Sequence, residues 1–441
     1  MNNKRKLLAA SILAGMIMTL TACGEPVDKL KPKMATRSES SSVAEEASSQ
    51  DAQPADSKAD ESKADDSSKA DGGKKQDKKE DTKKDDKAPD KKSNKKTADT
   101  VFADMTLDEK IGQLFIVTPE QIDGYDEAVT MYDDTMSELI AKYPVGGIIQ
   151  MTANVTDPEQ ITELNKKLQG ISKYGLFIAV DEEGGQVARI GLNENFDVPR
   201  YNSMYEIGST GDTANAKEVG KTIGGYVKGY GFNVDFAPDA DVYTNPENTV
   251  IGYRAFSSDP QVASDMVGAC IEGFHESGII TSIKHFPGHG DTYEDTHTSG
   301  AVVDKNWDEL LDCELMPFIN NLDKTDMIMI SHITLPNVTS DGMPASLSRE
   351  LITDKLKGDL GFKGIVITDS LSMQAVSNDY TPGQAAVKAF SAGADILLMP
   401  GNIGEAMDGI KEALSDGTLS EERLNESVMK ILKLKEKYGI L

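Results

Sequence analysis

The amino-acid sequence predicts an α/β fold, a (β/α)8 barrel of the TIM type that forms a single domain behind a disordered tether. Two observations predict this fold: short apolar runs alternate with amphipathic stretches long enough for helices, and polar residues follow several of the runs. Near-continuous apolar strands separated by helices are typical of a parallel sheet that is covered on both faces. A count of eight runs favours a barrel, and an open doubly wound sheet is the alternative.

Residues 1–22 have the form of a secretory signal peptide, because a basic run, Lys4-Arg5-Lys6, precedes a short apolar stretch. Cys23 directly follows Leu20-Thr21-Ala22, which resembles a bacterial lipoprotein signal and would place a lipid on Cys23. The alternative is an ordinary signal peptide with a chance cysteine. We therefore expect an exported protein anchored to the outer face of the cell membrane. Cys270 and Cys313 lie in apolar contexts typical of core residues, although the sequence leaves open whether they pair.

Residues 23–99 are predicted to be a disordered linker between the lipidated Cys23 and the folded domain. From residue 24 onward this segment has no Phe, Trp, Tyr or Ile and contains 19 acidic and 18 basic residues. It cannot bury enough apolar surface to offset its chain entropy. The domain, residues 100–441, has 54 acidic and 25 basic residues, a formal charge of −29. This charge excludes nucleic acid as a partner, because phosphates require a basic surface.

The folded domain begins with MTLDEKIGQLF, in which Thr106 and Glu109 form the pattern of a helix capping box. The last helix is predicted to start after Ser420 and to stop near Gly439, with one apolar face formed by Leu424, Val428, Ile431 and Leu432. Eight predicted strands lie between these helices. They are QLFIVT from residue 113, GGIIQM from 146, LFIAVD from 176, FNVDFA from 232, IITSIK from 279, MIMISH from 327, GIVITD from 364 and ADILLM from 394.

Polar residues stand at the ends of four of these runs, namely Asp181, Lys284-His285, Ser331-His332 and Asp369. The carboxyl ends of barrel strands share one rim, where the active sites of such barrels are built. Residues about 190 positions apart in the sequence should therefore meet in one site. For a single residue, the start of a loop explains the polarity equally well, but it explains the whole set poorly.

The stretch KHFPGHGDTYEDTH, residues 284–297, contains three of the five histidines. His285 and His289 have the i, i+4 spacing of metal ligands on a helix, and Asp291 or His297 could add a third ligand. However, the proline and glycine between the two histidines disfavour a helix, so we expect no metal. A hydrogen-bonded turn would explain the proline and glycine, but it would explain the Asp-Thr-His end of the stretch poorly.

Asp295 and His297 can form a dyad in which the carboxylate orients the imidazole and stabilises its protonated form. A histidine titrates near pH 6.5 and can therefore both donate and accept a proton at neutral pH. Asp369, at the end of a strand, is a plausible carboxylate nucleophile. These are the two functions that a retaining glycosidase requires.

Several stretches resemble, in the same order, the signature blocks of glycoside hydrolase family 3. They are MTLDEKIGQLF, VDEEGGQVAR, NVDFAPDADV, GYRAF, IKHFPGHGDTYEDTH, MPASLS and VITDSLSM, and the resemblance extends from about residue 101 to the C-terminus. The β-N-acetylglucosaminidase branch, of the bacterial type that recycles cell-wall fragments, is the most similar. The sequence departs from the usual blocks at Glu182, Ala255, Thr296 and Ser370, where Gln, Ser, Ser and an acidic residue are more common.

The resemblance implies that Asp369 is the nucleophile, His297 the acid/base and Asp295 its dyad partner. It implies that the sugar is held by Asp181, Arg189, Arg254, Lys284 and His285. His289 is expected to be structural support and His275 a surface histidine, whereas His332 is expected at the barrel mouth without an assigned role. No cofactor or metal is implied.

We therefore expect an exo-acting, retaining and monomeric β-N-acetylglucosaminidase that removes terminal N-acetylglucosamine from peptidoglycan fragments. Its partners would be such a glycan or muropeptide and, through Cys23, a membrane. A second possibility is a β-N-acetylglucosaminide phosphorylase, because an imidazole does not repel phosphate as a carboxylate would. A third is a β-glucosidase or β-xylosidase of the same family, and a fourth is a solute-binding lipoprotein.

Overall fold

A computed structural model of the protein describes residues 96–124, 127–294, 296 and 300–441. All of them lie in the unit Pro89–Leu441. The signal peptide of residues 1–22 and the lipidation site Cys23 lie outside the described residues, as does nearly all of the predicted linker. The first described helix begins at Ala98, within the last residues that the sequence assigned to the linker.

The described residues form an eight-stranded parallel barrel together with a short antiparallel hairpin. In chain order, the strands are β1 (Phe115–Val117), β2 (Gly147–Ile149), β3 (Phe177–Val180), β4 (Glu182–Gly184), β5 (Val187–Ala188), β6 (Val234–Asp235), β7 (Ile280–Phe286), β8 (Met327–Ile330), β9 (Ile365–Thr368) and β10 (Leu397–Leu398). β4 and β5 form the hairpin, and the barrel order is β10-β1-β2-β3-β6-β7-β8-β9. A parallel bridge between Ile367 and Ile396 joins the two ends of this sheet. The predicted barrel is therefore confirmed.

Helices cover the outside of the barrel. They are α1 (Ala98–Ala103), α2 (Leu107–Gln113), α3 (Pro119–Asp123), α4 (Asp134–Lys142), α5 (Pro158–Ile171), α6 (Met204–Gly208), α7 (Thr213–Gly229), α8 (Pro260–Glu276), α9 (Trp307–Asp312), α10 (Met316–Ile319), α11 (Gln374–Ser377), α12 (Pro382–Ala392), α13 (Ile403–Ser415) and α14 (Glu421–Lys437). Three 3-10 segments occur at Thr152–Asn154, Gly252–Arg254 and Ala345–Leu347, and a π-helix spans Glu350–Asp359. Among the described helices, none combines the length and apolarity needed to cross a bilayer.

The predicted helix caps are present at both ends of the domain. Thr106 accepts a hydrogen bond from the backbone N–H of Glu109, and Glu109 accepts one from the backbone of Thr106, which completes the capping box. α2 ends at Gln113 and β1 begins at Phe115, so the first apolar run continues directly from a helix into a strand. Ser420 caps α14, whose predicted apolar face is buried.

The hairpin β4–β5 and the π-helix Glu350–Asp359 are among the elements that were not predicted from the sequence. The hairpin β4–β5 contains polar and glycine residues where apolar alternation would be expected, yet its side chains are largely buried. The π-helix Glu350–Asp359 has no distinct sequence pattern. Cys270 is buried and Cys313 is half-buried, and neither forms a disulfide within the described part of the chain.

Candidate active site

A pocket of about 570 Å³ opens at the carboxyl ends of the barrel strands. Asp181 follows β3, Lys284 and His285 lie at the end of β7, and Asp369 follows β9. Three of the four polar strand ends therefore meet in one pocket, as their polarity predicted. Ser331 and His332, which follow β8, are instead completely buried and do not line it. The titratable and polar side chains that line the pocket are Asp181, Glu183, Arg189, Arg254, Lys284, His285, His289, Thr296, Asp369, Ser370, Ser372 and Gln374.

Lys284 connects two acidic residues on the pocket wall. Its Nζ lies 2.7 Å from Oδ1 of Asp181 and 2.7 Å from Oε1 of Glu183, and only 3% of its side chain is exposed. Burial alone would lower the pKa of Lys284, but Asp181 and Glu183 outweigh this effect and raise the pKa above its usual value. Arg189 adds a weaker contact, with Nη2 3.3 Å from Oδ2 of Asp181. Lys284 therefore stays protonated and contributes a positive charge to the pocket wall at neutral pH.

Glu183 is a site residue that the sequence analysis missed. It accepts two hydrogen bonds from Arg254, at 2.9 Å from Nε and 2.8 Å from Nη2, while Arg254 Nη1 donates to the Val250 carbonyl at 2.9 Å. Side chains two positions apart on an extended chain point to the same face, so Glu183 follows Asp181 into the pocket. That alternation was the signal in the sequence that could have identified it.

His285 is oriented by hydrogen bonds to both of its ring nitrogens. Its Nε2 lies 3.3 Å from Nη2 of Arg254, and a guanidinium can only donate. Nε2 is therefore the acceptor, and Nδ1 carries the hydrogen that is donated to Oδ2 of Asp241 at 2.7 Å. The peptide bond between Lys284 and His285 is cis. Asp241 was not identified from the sequence, because its partner is 44 residues away.

Asp239, Asp241 and His285 place three possible metal-ligand atoms within 4.8 Å of one another. However, the Nδ1 that would bind a cation carries the hydrogen donated to Asp241. Nε of Arg254 lies 3.6 Å from Oδ2 of Asp239 and already supplies a positive charge there. The chemistry of these three residues therefore favours an ion-pair network with Arg254 over a metal site.

Asp369 is half-buried at the pocket wall. Its Oδ1 accepts a hydrogen bond from the backbone N–H of Ser370 at 2.7 Å. Burial acts to raise the pKa of Asp369, but His332, His285 and that hydrogen bond outweigh it, so the pKa lies below its usual value. Nε2 of the buried His332 donates to the Ser370 carbonyl at 2.8 Å. The carboxylate of Asp369 is therefore ionised at neutral pH, and the backbone N–H of Ser370 fixes its orientation, as a nucleophile requires.

The hairpin β4–β5 and the turn after it carry Glu183 and Arg189 to the pocket. Glu182, between Asp181 and Glu183, points away from the pocket and is completely buried. Its carboxylate accepts hydrogen bonds from the backbone N–H groups of Ile190, at 2.8 Å, and of Gly191, at 2.7 Å. Glu182, which stands where the family blocks more often have glutamine, therefore fixes the turn that follows Arg189.

Asp295 and His297 lie outside the described residues, so their dyad stays a prediction. Thr296, between them in the sequence, lines the pocket and is 2% exposed. Both ring nitrogens of His289 are engaged by threonine hydroxyls, Nδ1 by Thr292 at 2.7 Å and Nε2 by Thr296 at 3.2 Å. This engagement fits the supporting role expected for His289 and leaves neither ring nitrogen to bind a metal ion. His275, expected to be a surface histidine, is part-buried and hydrogen-bonds Asp326 at 2.9 Å.

An ionised carboxylate in a polar pocket at the carboxyl end of a (β/α)8 barrel is typical of barrel enzymes that act on glycosides. The chain belongs to glycosyl hydrolase family 3, because residues 106–434 match the N-terminal domain of that family.

Several known proteins resemble the chain over most of its described length. A beta-hexosaminidase A of Pseudoalteromonas piscicida is 36% identical over 340 residues, which cover 70% of this chain and 56% of that protein. A family 3 beta-N-acetylglucosaminidase structure from Paenibacillus sp. str. FPU-7 has 34% identity and a TM-score of 0.71, covering 76% of this chain and 63% of the other. A beta-glucoside phosphorylase, BglX, has 28% identity and a TM-score of 0.68, with coverages of 78% and 60%. The chain thus spans less than two thirds of each of these relatives.

Proposed function

We propose that this chain is an exo-acting, retaining β-N-acetylglucosaminidase that removes terminal N-acetylglucosamine from peptidoglycan fragments. The observation that supports this function best is Asp369, a carboxylate with a lowered pKa in the pocket that also contains Asp181, Lys284 and Arg254. The beta-hexosaminidase and beta-N-acetylglucosaminidase among its relatives support the choice of sugar.

In the first chemical step, an oxygen of Asp369 attacks the anomeric carbon while the bond from that carbon to the leaving oxygen breaks. His297 donates a proton to the leaving oxygen, and Asp295 stabilises the histidine orientation that this transfer needs. In the second step, His297 takes a proton from water as the water oxygen attacks the anomeric carbon. The ester to Asp369 then breaks, and the sugar leaves with its original configuration.

The remaining pocket residues would bind the sugar before the reaction. Asp181 accepts hydrogen bonds from hydroxyl groups, whereas Arg189, Arg254 and Lys284 can only donate them. Glu183 holds Arg254 and Lys284 in place in the absence of substrate, so little reorganisation is needed when the sugar enters. A volume of about 570 Å³ is within the range of small-molecule sites.

Trapping the covalent intermediate tests the nucleophile. A fluorinated N-acetylglucosaminyl substrate that forms the ester faster than it loses it should label the protein, and peptide mass spectrometry should locate the label on Asp369. A label on any other residue would refute the assignment. Binding of the sugar without any turnover, by a protein that hydrolyses no substrate, would instead support a solute-binding lipoprotein.

Phosphorolysis is the second candidate function, and the likeness to a beta-glucoside phosphorylase together with the cations Arg189, Arg254 and Lys284 in the pocket favours it. Hydrolysis releases free N-acetylglucosamine, whereas phosphorolysis would release the sugar 1-phosphate. Product analysis with and without inorganic phosphate separates the two. Aryl glycosides of glucose, xylose and N-acetylglucosamine test the sugar, and faster turnover of glucose or xylose would identify a β-glucosidase or β-xylosidase.

The cellular setting is part of the same proposal. A lipid on Cys23 would anchor the protein to the outer face of the cell membrane, and the linker to residue 99 would let the barrel reach cell-wall fragments. We propose that it acts there as a monomer without a cofactor. The charge of the barrel, −29, suits a soluble domain that does not bind anionic polymers such as nucleic acid.

A further inference from the structure

A second pocket, of about 360 Å³, lies next to the main pocket that contains Asp369. This side pocket is lined by residues 371–372, 377–382, 384 and 400–401. Ser372 lines both pockets, so the two are direct neighbours. The volume of the side pocket is within the range of small-molecule sites. The side pocket has no role in the binding of the terminal sugar described above.

The walls of the main pocket continue into the side pocket. On one wall, Met373 and Gln374 line the main pocket, and Ser377 at the end of α11 lines the side pocket. On the opposite wall, Met399 lines the main pocket and Pro400 lines the side pocket. A ligand that is bound beside the proposed nucleophile can therefore extend along both walls into the side pocket.

Met399, where the main pocket passes into the side pocket, has an unusual backbone conformation. Its φ angle is 46°, a positive value that residues with a side chain seldom adopt. Its backbone N–H donates to the carbonyl of Ile116 at 2.8 Å, which holds the residue at the end of β10. Such strain persists where the surrounding structure enforces it, and it is concentrated at ligand sites. The backbone at Met399 thus indicates a ligand site independently of the shape of the two pockets.

The side pocket is lined mainly by neutral polar groups. The hydroxyl of Ser377 and the amide of Asn378 are exposed, and each can both donate and accept hydrogen bonds. The half-buried ring of Tyr380 adds an apolar surface. Among the described residues that line the side pocket, Asp379 carries the one charge at neutral pH. These groups suit a neutral ligand with several hydroxyl or amide groups, and they disfavour an anion.

We infer that the side pocket binds the leaving-group sugar, a neutral sugar joined to the N-acetylglucosamine that occupies the main pocket. This inference rests on the proposed function, because it requires the glycosidic bond to lie between the two pockets, within reach of Asp369. The substrate is then recognised through two consecutive sugars. A leaving sugar with a free carboxylate is a poorer substrate, because Asp379 repels it.

Ser377→Trp tests the inference by filling the side pocket. The side chain of Ser377 is exposed, so the indole can enter the pocket without displacing the core. We expect kcat/KM to fall about tenfold on an N-acetylglucosaminyl disaccharide, because the variant loses the binding of the second sugar. The loss should be much smaller on methyl β-N-acetylglucosaminide, whose leaving group is also an alcohol but includes no second sugar.

The control is Ser415→Trp, at the exposed last residue of α13, which lines neither pocket. The inference would be overturned if Ser377→Trp slowed both substrates equally or slowed neither. A similar selective loss in Ser415→Trp would overturn it as well.

Asp379→Asn tests the charge of the side pocket with a side chain of nearly the same shape. The wild type should turn over a disaccharide whose leaving sugar has a free carboxylate more slowly than a neutral disaccharide. At low ionic strength, Asp379→Asn should narrow this difference about threefold, a small factor because the carboxylate is exposed. A wild type that does not distinguish the two substrates, or a difference that Asp379→Asn leaves unchanged, would overturn the choice of a neutral sugar.

Calorimetric binding of sulfur-linked analogues gives a readout that does not require turnover. The wild type should bind a sulfur-linked N-acetylglucosaminyl disaccharide about tenfold more tightly than the methyl thioglycoside, and Ser377→Trp should bind both alike. Equal affinities in the wild type would overturn the inference even in a protein that hydrolyses glycosides. Tighter binding of the disaccharide analogue by a protein that turns over no glycoside would instead defeat the proposed function and support the second sugar site.

Discussion

Glu183 is the side chain that joins the two principal cations of the pocket. Its completely buried carboxylate binds Arg254 through two hydrogen bonds and contacts Lys284 at 2.7 Å. Without that carboxylate, two positive charges would remain in a buried wall with less compensation. Glu183 therefore stabilises the site and orients its donors at the same time.

Glu183→Gln is expected to reduce both activity and stability. The new amide would direct N–H hydrogens at a guanidinium or ammonium group that can only donate, so one cation loses its partner. We expect kcat/KM to fall about 100-fold and the free energy of unfolding to fall by about 3 kcal/mol. Enzyme kinetics and urea unfolding measure the two effects. The exposed Glu412→Gln on α13 is the control, and similar losses in both variants would contradict this role.

His297→Ala should separate substrates by their leaving groups. If His297 protonates the leaving oxygen, its removal slows a disaccharide by about 100-fold or more but affects an activated aryl glycoside much less, because a phenolate with a low pKa leaves without help. Steady-state kinetics on the two substrates measure the difference. Equal losses on both would count against proton donation by His297.

At the scale of elements, α14 contains a completely buried lysine on the inner face of the helix. Nζ of Lys435 donates to Oε1 of Gln113 and to the carbonyl of Gly175, both at 2.7 Å, and no carboxylate contacts it within the described part of the chain. Burial lowers the pKa of Lys435 to about 7. The helix is thus fixed to the barrel by a polar contact whose protonation changes within the physiological range.

This lowered pKa predicts how stability depends on pH. An unfolded lysine titrates near pH 10.4, so between about pH 7 and pH 10 the unfolded chain binds more protons than the folded one. The contribution of Lys435 to stability therefore increases as the pH rises through that window. The melting temperature of the wild type, relative to that of Lys435→Met, should rise from pH 7 to pH 9. The exposed Lys433→Met on the same helix is the control, and identical pH profiles for all three proteins would contradict the prediction.

At the scale of the whole molecule, the barrel supplies every described residue of the pocket, so the tether should affect location and not chemistry. Cys23→Ser removes the proposed lipid site. We expect this variant to move from the membrane fraction to the soluble fraction while kcat and KM on a small soluble substrate stay unchanged. Cell fractionation with an immunoblot and kinetics measure this outcome. Retention of Cys23→Ser in the membrane fraction would mean that something other than this lipid holds the protein there.

The sequence predicted the regular parts of the molecule well and the polar network of the site less well. Apolar runs identified all eight barrel strands, because a strand buried on both faces needs nearly continuous apolar residues. Polarity at the strand ends and the family resemblance identified four residues of the pocket, namely Asp181, Lys284, His285 and Asp369. Glu183 was missed because it lies beyond the end of the apolar run, where the sequence analysis predicted no strand. Its spacing of two residues from Asp181 was therefore not considered.

By itself, the sequence determined the eight strands, the helix caps at Thr106 and Ser420 and part of the set of residues at the rim, because each depends on periodicity or short-range hydrogen bonding. Only the tertiary structure decided the partners within the site. The contacts from His285 to Asp241 and from Arg254 to Glu183 span 44 and 71 residues, and no local pattern encodes them. The physical reason is burial: charges removed from water must find partners wherever the fold brings them together, and the closed sheet selects which residues those are.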